Sequence, residues 1–203
     1  ASRQYIQSDY YEIDVDQMIF LGTPHLGAPE SYLTWEGGEL GKGVMNLLKE
    51  FVFSREAKKY GYYDIYDYVR NYVISARELL PIYAYLRDRS TGVIRTYPVN
   101  YPQNIFLENL YSSVGRLTNS GIKITNIVGD LGSDSTINVI RVVDWASFPL
   151  WEHGYPENYD NLIFTDKGLE MGNGDETVPS FSGEFIKNGL NVLVSNHIDL
   201  PDK

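Results

Sequence analysis

The chain reads as an α/β protein whose mostly parallel sheet is interrupted by a long helical insertion, and three features predict this. Short branched apolar runs at Gln17–Leu21 and Ile122–Val128 stop at glycine, with the length and character of strands. Between them, from about Pro29 to Ser120, strand alternation is absent and apolar residues recur at helical spacing. A third run, Leu190–Ser195, returns to strand character late in the chain.

Taken in order, residues 1 to about 12 are expected to be helical. The stretch Ser2-Arg3-Gln4-Tyr5-Ile6-Gln7 has no N-cap side chain before it, so the helix reads as already under way. Gln17–Leu21 follows as a buried strand that stops at a Gly-Thr-Pro turn. Within the insertion, Val44, Leu47, Leu48, Phe51 and Val52 form one helical stripe. Ile65, Val69, Tyr72 and Val73 form a second, and Phe106, Leu110, Val114 and Leu117 a third. Ser75 and Glu78 have the capping-box spacing and are expected to open another short helix. An insertion of this size, residues 30 to about 120, is predicted to be a helical cap.

Gly121 closes the last of these helices, and the next strand ends at Gly129-Asp130. Residues 131–161 are rich in turn formers and aromatics, among them Trp145, Trp151 and Pro156. Asn161–Thr165 predicts a short edge strand or hairpin, and Glu184–Gly189 a short helix or turn before the buried strand Leu190–Ser195. No repeat, low-complexity run or linker divides the chain. Residues 1–203 are therefore expected to form one partial domain carrying the insertion.

Composition narrows the functional classes. A chain of 203 residues with 43% apolar content can bury one good core. Its formal charge of −10 speaks against nucleic acid, and against an anionic membrane surface, because no basic stripe offsets the repulsion. Without cysteine there is neither a disulfide framework nor a thiolate metal site. Asp130, Asp134 and Asp144 could offer oxygen ligands to calcium, but their spacing matches no EF-hand loop. The glycine-rich stretch Glu36–Gly43 contains acidic residues and lacks a preceding strand, so it makes a poor phosphate loop. No metal or cofactor is expected. His25 reads as a structural histidine at a loop leaving the sheet, and His153 as a surface residue.

Chemistry concentrates near the end of the chain, in Gly174-Asp175-Glu176-Thr177-Val178-Pro179 and in Asn196-His197. A neutral imidazole takes a proton from a hydroxyl efficiently when a carboxylate fixes its tautomer and steadies the imidazolium that forms. Asp175 and His197 are the candidate pair. Their separation of 22 residues leaves room for a helix and a strand, which would place the histidine just past a strand end. A nucleophile is harder to find. No serine has the Gly-x-Ser-x-Gly setting that a strained strand-to-helix turn requires, and Gly132-Ser133 and Ser182-Gly183 supply one glycine each. The serine is expected upstream of Phe20, with the chain starting just after it.

The strand ending in Leu21-Gly22-Thr23-Pro24-His25-Leu26-Gly27, the stretch Arg77-Glu78-Leu79-Leu80-Pro81 with Tyr83 and Leu86, the Gly-Asp-Glu-Thr-Val-Pro loop and the Asn-His pair resemble one known group. This is the lipase and acyltransferase group of α/β-hydrolases that includes lecithin:cholesterol acyltransferase. The resemblance is scattered from Ile19 to His197. It implies the C-terminal portion of an α/β-hydrolase fold with its nucleophile elbow missing, and a serine esterase, lipase or acyltransferase activity for the parent protein. Asp175 and His197 match the acid and base. The group's loop more often reads Gly-Asp-Gly-Thr-Val-Pro, with Glu176 here in place of the second glycine. Of the two adjacent carboxylates we expect Asp175 to serve, since the motif places the acid there and Glu176 is one methylene longer.

The same resemblance places Leu26 and Trp35 at the active-site rim, as candidate substrate contacts. The 17 tyrosines, many between residues 60 and 111, offer amphipathic rings for a hydrophobic or lipid-like ester, although each alone is more often a packing residue. The expected partners are thus a small-molecule or lipid ester, the N-terminal part of the same polypeptide, and a second copy associating through an exposed sheet edge. Without its serine, the chain alone is expected to be inactive. Two other classes stay open: a non-catalytic binding or scaffold module on the same fold, and an amidase or peptidase using the same triad.

Overall fold

The computed structural model describes residues 2–40, 44–144 and 149–202, without the side chains of residues 44–48. Gly41, Lys42 and Gly43 of the glycine-rich stretch, Trp145, and the side chains of Val44, Leu47 and Leu48 lie outside the described residues. The fold is mixed α/β with a parallel three-stranded sheet, and it divides into two compact units. One comprises Ala1–Ala28, Asn104–Asn138 and Met171–Lys203, and the other Pro29–Gln103 and Val139–Glu170.

In the first unit, β1 (Gln17–Leu21), β3 (Lys123–Gly129) and β7 (Leu190–Leu193) form a parallel sheet in the order β1-β3-β7, with Met18 opposite Ile124 and Val128 opposite Val192. β1 buries alternate residues. Met18 and Phe20 point into a core with Ile6, Leu117, Ile124 and Ile186, while Ile19 and Leu21 stand exposed on the other face. β1 is therefore half-buried rather than the buried strand expected. β7 departs in the same way, because it is a sheet edge and Val192 is exposed. Asn126, a polar residue at an inward position of β3, is fully buried. Its amide donates to Gly183 O and Ile186 O, both at 2.9 Å, tying the strand to the end of α8 (Ser180–Gly183) and to the chain just after it.

The helices of this unit are α1 (Ser2–Ile6), α6 (Ile105–Ser112), α7 (Val114–Thr118) and α8. α1 stops well short of residue 12, and its buried Arg3 explains what holds it. The guanidinium donates to Gln7 Oε1 at 2.7 Å, His25 O at 3.1 Å and Leu110 O at 3.0 Å. Leu110 and Leu117 of the third predicted stripe are buried within this sheet-bearing unit. The expected insertion over residues 30–120 is thus shorter in its first segment, which ends at Gln103, and it gains Val139–Glu170.

The second unit contains α2 (Glu30–Gly37), α3 (Val44–Lys59), α4 (Ile65–Asn71) and α5 (Ile74–Glu78). It is not purely helical. β2 (Leu86–Asp88) pairs in parallel with β4 (Thr136–Val143), which pairs antiparallel with β5 (Tyr155–Pro156) and also with β6 (Leu169–Gly172). β4 and β6 both continue from one unit into the other. Asn161–Thr165 forms no strand; the predicted hairpin is replaced by a bend, and the pairing falls to β6. Local signals also shift. α5 is preceded by Val73 without a side-chain cap, so Ser75 lies inside the helix and the Ser75–Glu78 capping box does not form. Asp64 does cap α4, accepting from Asp67 N at 2.8 Å. Phe51 and Val52 are exposed, whereas Val69 is buried.

Polar groups are also buried in this unit. Glu36 is fully buried, its Oε2 accepting from His153 N at 3.1 Å and lying 3.2 Å from His153 Nδ1, while Arg70 Nη2 is 3.7 Å from Oε1. His153 is therefore a half-buried partner of Glu36 rather than a surface residue. The tyrosines pack on one another: Tyr60 stacks on Tyr72 with centroids 4.6 Å apart, and Tyr68 on Tyr72 at 5.1 Å.

Candidate active site

The acid and the base stand on two loops of the first unit. Asp175 lies between β6 and α8, and His197 just past β7. The Asp175 loop is closed by backbone contacts between Gly174 and Pro179 and anchored by Leu131 N, which donates to Gly174 O at 2.8 Å. Thr136 Oγ1 accepts from Glu176 N at 2.9 Å. These bonds leave the Asp175 carboxylate fully buried, with Oδ1 accepting from Thr177 N at 3.1 Å and Val178 N at 2.7 Å. Its other oxygen, Oδ2, lies 2.8 Å from His197 Nδ1, and His197 N donates to Asp175 O at 2.7 Å. The loop of the histidine is held in turn by Asn196, whose Oδ1 accepts from Asp199 N at 2.8 Å.

Electrostatics follow from this geometry. The hydrogen bond that His197 donates to Asp175, ahead of the opposing effect of partial burial, raises the His197 pKa above the ordinary histidine value. With the Nδ1 proton directed at the carboxylate, Nε2 is the basic nitrogen, and a ring that is 35% exposed can pass a proton to or from a bound molecule. Glu176 is exposed and takes no part in the contact. The structure thus resolves which of the two adjacent carboxylates faces the imidazole.

Two glycines make the approach of these groups feasible. A Cβ on Gly22 would lie 2.7 Å from His197 Cε1, and one on Gly129 would lie 2.8 Å from Asp175 Cβ and 2.6 Å from Ser195 O. Both glycines stand at the C-terminal ends of parallel strands, where α/β sheets collect their functional groups. Gly22, Gly129 and Thr136 were not anticipated as site residues. The signal that could have found the first two is their place at strand ends, immediately before loops.

Leu26 is half-buried, its N–H donating to Ser182 Oγ at 3.0 Å, and that hydroxyl donates to Gly27 O at 2.8 Å. Ser182 is thereby committed to holding the Thr-Pro-His loop. Ser195 Oγ donates to Asn196 O at 3.1 Å. Trp35 belongs to the second unit and is buried, with the guanidinium of Arg70 4.5 Å and that of Arg77 5.8 Å from its ring centre; this is the setting of a packing residue. His25 is fully buried and edge-on to Phe20 at 4.7 Å. Burial first, and the Arg3 charge second, push its pKa down to about 4.

The chain matches no protein-family model and no curated protein. Chemistry alone therefore ranks the residues of this site. Among the described residues no three His, Cys, Asp or Glu side chains gather as a metal site, and Asp130 instead accepts from Gly132 N at 2.8 Å. The site can orient an imidazole, hold its tautomer and stabilise its charged form.

Proposed function

We propose that Asp175 and His197 are the acid and base of a Ser-His-Asp catalytic set in an α/β-hydrolase-like esterase, lipase or acyltransferase. The observation that carries this is the 2.8 Å contact between Asp175 Oδ2 and His197 Nδ1, on a carboxylate already fixed by two backbone amides. In the reaction, Nε2 takes the proton of a serine hydroxyl as the oxygen attacks an ester carbonyl. It then returns the proton to the leaving alcohol, and Asp175 stabilises the imidazolium between these steps.

The serine is assigned to a strand-turn-helix segment leading into α1. Supporting this, among the described residues no strand pairs with the outer side of β1 in the sheet order β1-β3-β7, and a groove of about 780 Å³ is lined by residues of α1 and β1, including Ile6, Gln17 and Ile19. A parallel strand on that edge would deliver a serine at the same sheet end as His197. A hydrophobic ester is the proposed substrate class, and residues 1–203 alone are proposed to be inactive.

Fluorophosphonate labelling tests the assignment. We expect the polypeptide extended N-terminally to form an adduct on a serine shortly before Ala1, and Asp175→Asn or His197→Ala to abolish it. A folded, extended polypeptide that forms no adduct would transfer the proposal to a non-catalytic binding module.

A further inference from the structure

The bend at 161–165 in the second unit presents three consecutive large apolar side chains to water: Leu162 is 100% exposed, Ile163 87% and Phe164 53%. Single exposed leucines are ordinary on protein surfaces, but a contiguous exposed run gives folding nothing and marks a binding surface. The segment is built. Asn161 Oδ1 accepts from Ile163 N at 2.9 Å, and Asn161 O accepts from the Lys167 ammonium. Asp166 Oδ1 accepts from Gly168 N at 2.9 Å and its Oδ2 from the Arg141 guanidinium, which also holds Glu157 on β4's other neighbour, β5 and its following turn. Asn161 and Lys167 thus close the segment on itself, Asp166 ties its C-terminal end to β4 through Arg141, and the three apolar side chains are what it displays.

We propose that Leu162-Ile163-Phe164 is a lipid-inserting tip that enters an uncharged or zwitterionic lipid surface to headgroup depth. The exposure of successive side chains favours a fluid acyl boundary, which encloses them without the complementary groove a protein partner must supply. Charge selects the lipid. The flanks carry Asp160, Asp166 and Lys167, and the whole chain has a formal charge of −10, so an anionic surface gains no attraction from this segment. The ion-paired base of the tip would stay hydrated among zwitterionic headgroups while the three side chains are buried. One such tip gives weak and reversible attachment, comparable to that of a single acyl chain. The proposal concerns a segment of the second unit, whereas Asp175 and His197 belong to the first, and it does not depend on catalysis.

Flotation of the protein with phosphatidylcholine vesicles tests it. The protein is expected to co-float, Ile163→Asp to lower the bound fraction at least ~10-fold, and Phe164→Ser to lower it in the same direction. Tyr63→Ser, at a residue 90% exposed elsewhere in the second unit, should leave binding unchanged. Circular dichroism establishes that each variant is folded. Several results would overturn the proposal: a folded wild type that stays at the bottom of the gradient, binding restricted to phosphatidylglycerol vesicles, binding indifferent to Ile163→Asp and Phe164→Ser, or a dimer in light scattering that Ile163→Asp dissolves. Because flotation involves no bond cleavage, its outcome is separate from that of fluorophosphonate labelling.

Discussion

Asp175 Oδ2 and His197 Nδ1, 2.8 Å apart, hold a proton on the imidazole more tightly than an isolated histidine would. The folded state therefore binds this proton more strongly than the unfolded state. The pair's contribution to stability is complete below the unfolded-state histidine pKa and is lost as pH rises through the raised folded-state value. In the proposed catalytic set, activity is expected to have the opposite dependence, since a general base must start neutral, and the acid limb of kcat/KM would move upward with the same shift. Asp175→Asn is expected to bring the His197 pKa back down, read from the imidazole Cε1–H resonance across a pH series. In an extended polypeptide carrying the proposed serine it is expected to lower kcat by about 10⁴-fold, because the amide no longer enforces the tautomer. An unchanged titration would remove the carboxylate from the site. The neighbouring residue gives a second test. Glu176 sits at φ 77°, in the left-handed region that costs non-glycine residues about 1–2 kcal/mol, and what the fold uses is its N–H, donated to Thr136 Oγ1. Glu176→Gly keeps that donor and should raise stability by about 1 kcal/mol, or Tm by roughly 2–4 °C. A lower Tm would mean that the carboxylate has a role beyond its backbone.

Asn126 shows how one side chain governs an element. β3 pairs with both β1 and β7, and the Asn126 amide reaches past the pairing to two carbonyls near α8. Asn126→Val suits a strand by shape, but it strands Gly183 O and Ile186 O in the interior, and a loss of about 1–3 kcal/mol in urea denaturation is expected. A neutral result would mean that water or a shifted backbone replaces both bonds. Elements whose pattern is local were legible in the sequence. β1 ends where glycine follows, the stripe that begins at Ile65 becomes α4, and β3 closes at Gly129. Burial was not legible to the same degree, since Val192 and Ile19 have strand character yet face water through their position in the sheet. β4 was missed, although Thr136-Ile-Asn-Val-Ile-Arg-Val-Val is rich in β-branched residues, because turn formers on either side masked it. The site was legible as a pair of residue types. The spaces left by Gly22 and Gly129 were not, since a close approach across strands leaves no mark in a linear pattern.

At the scale of the whole chain, neither compact unit is a continuous segment. The chain passes from one to the other after Ala28, Gln103, Asn138 and Glu170, so neither can be cut out as a single stretch. Each nonetheless has its own buried set. Met18, Phe20 and Ile124 are buried in the unit that carries Asp175 and His197, and Tyr32, Leu80, Tyr85 and Leu86 in the other. Cooperative opening follows contiguous packing more closely than it follows sequence order. Leu80 is fully buried, so Leu80→Ala leaves a cavity expected to cost about 2–5 kcal/mol. Native-state hydrogen exchange on this variant should show faster exchange at Tyr85 and Leu86. The amides of Asn126 and Asp130, which donate to Gly189 O and Leu193 O, should keep their protection, and the His197 titration should not move. If instead protection falls by the same amount at all of these amides, the chain opens as one cooperative body. Substitutions anywhere in residues 29–103 would then weaken the acid-base pair through global stability alone.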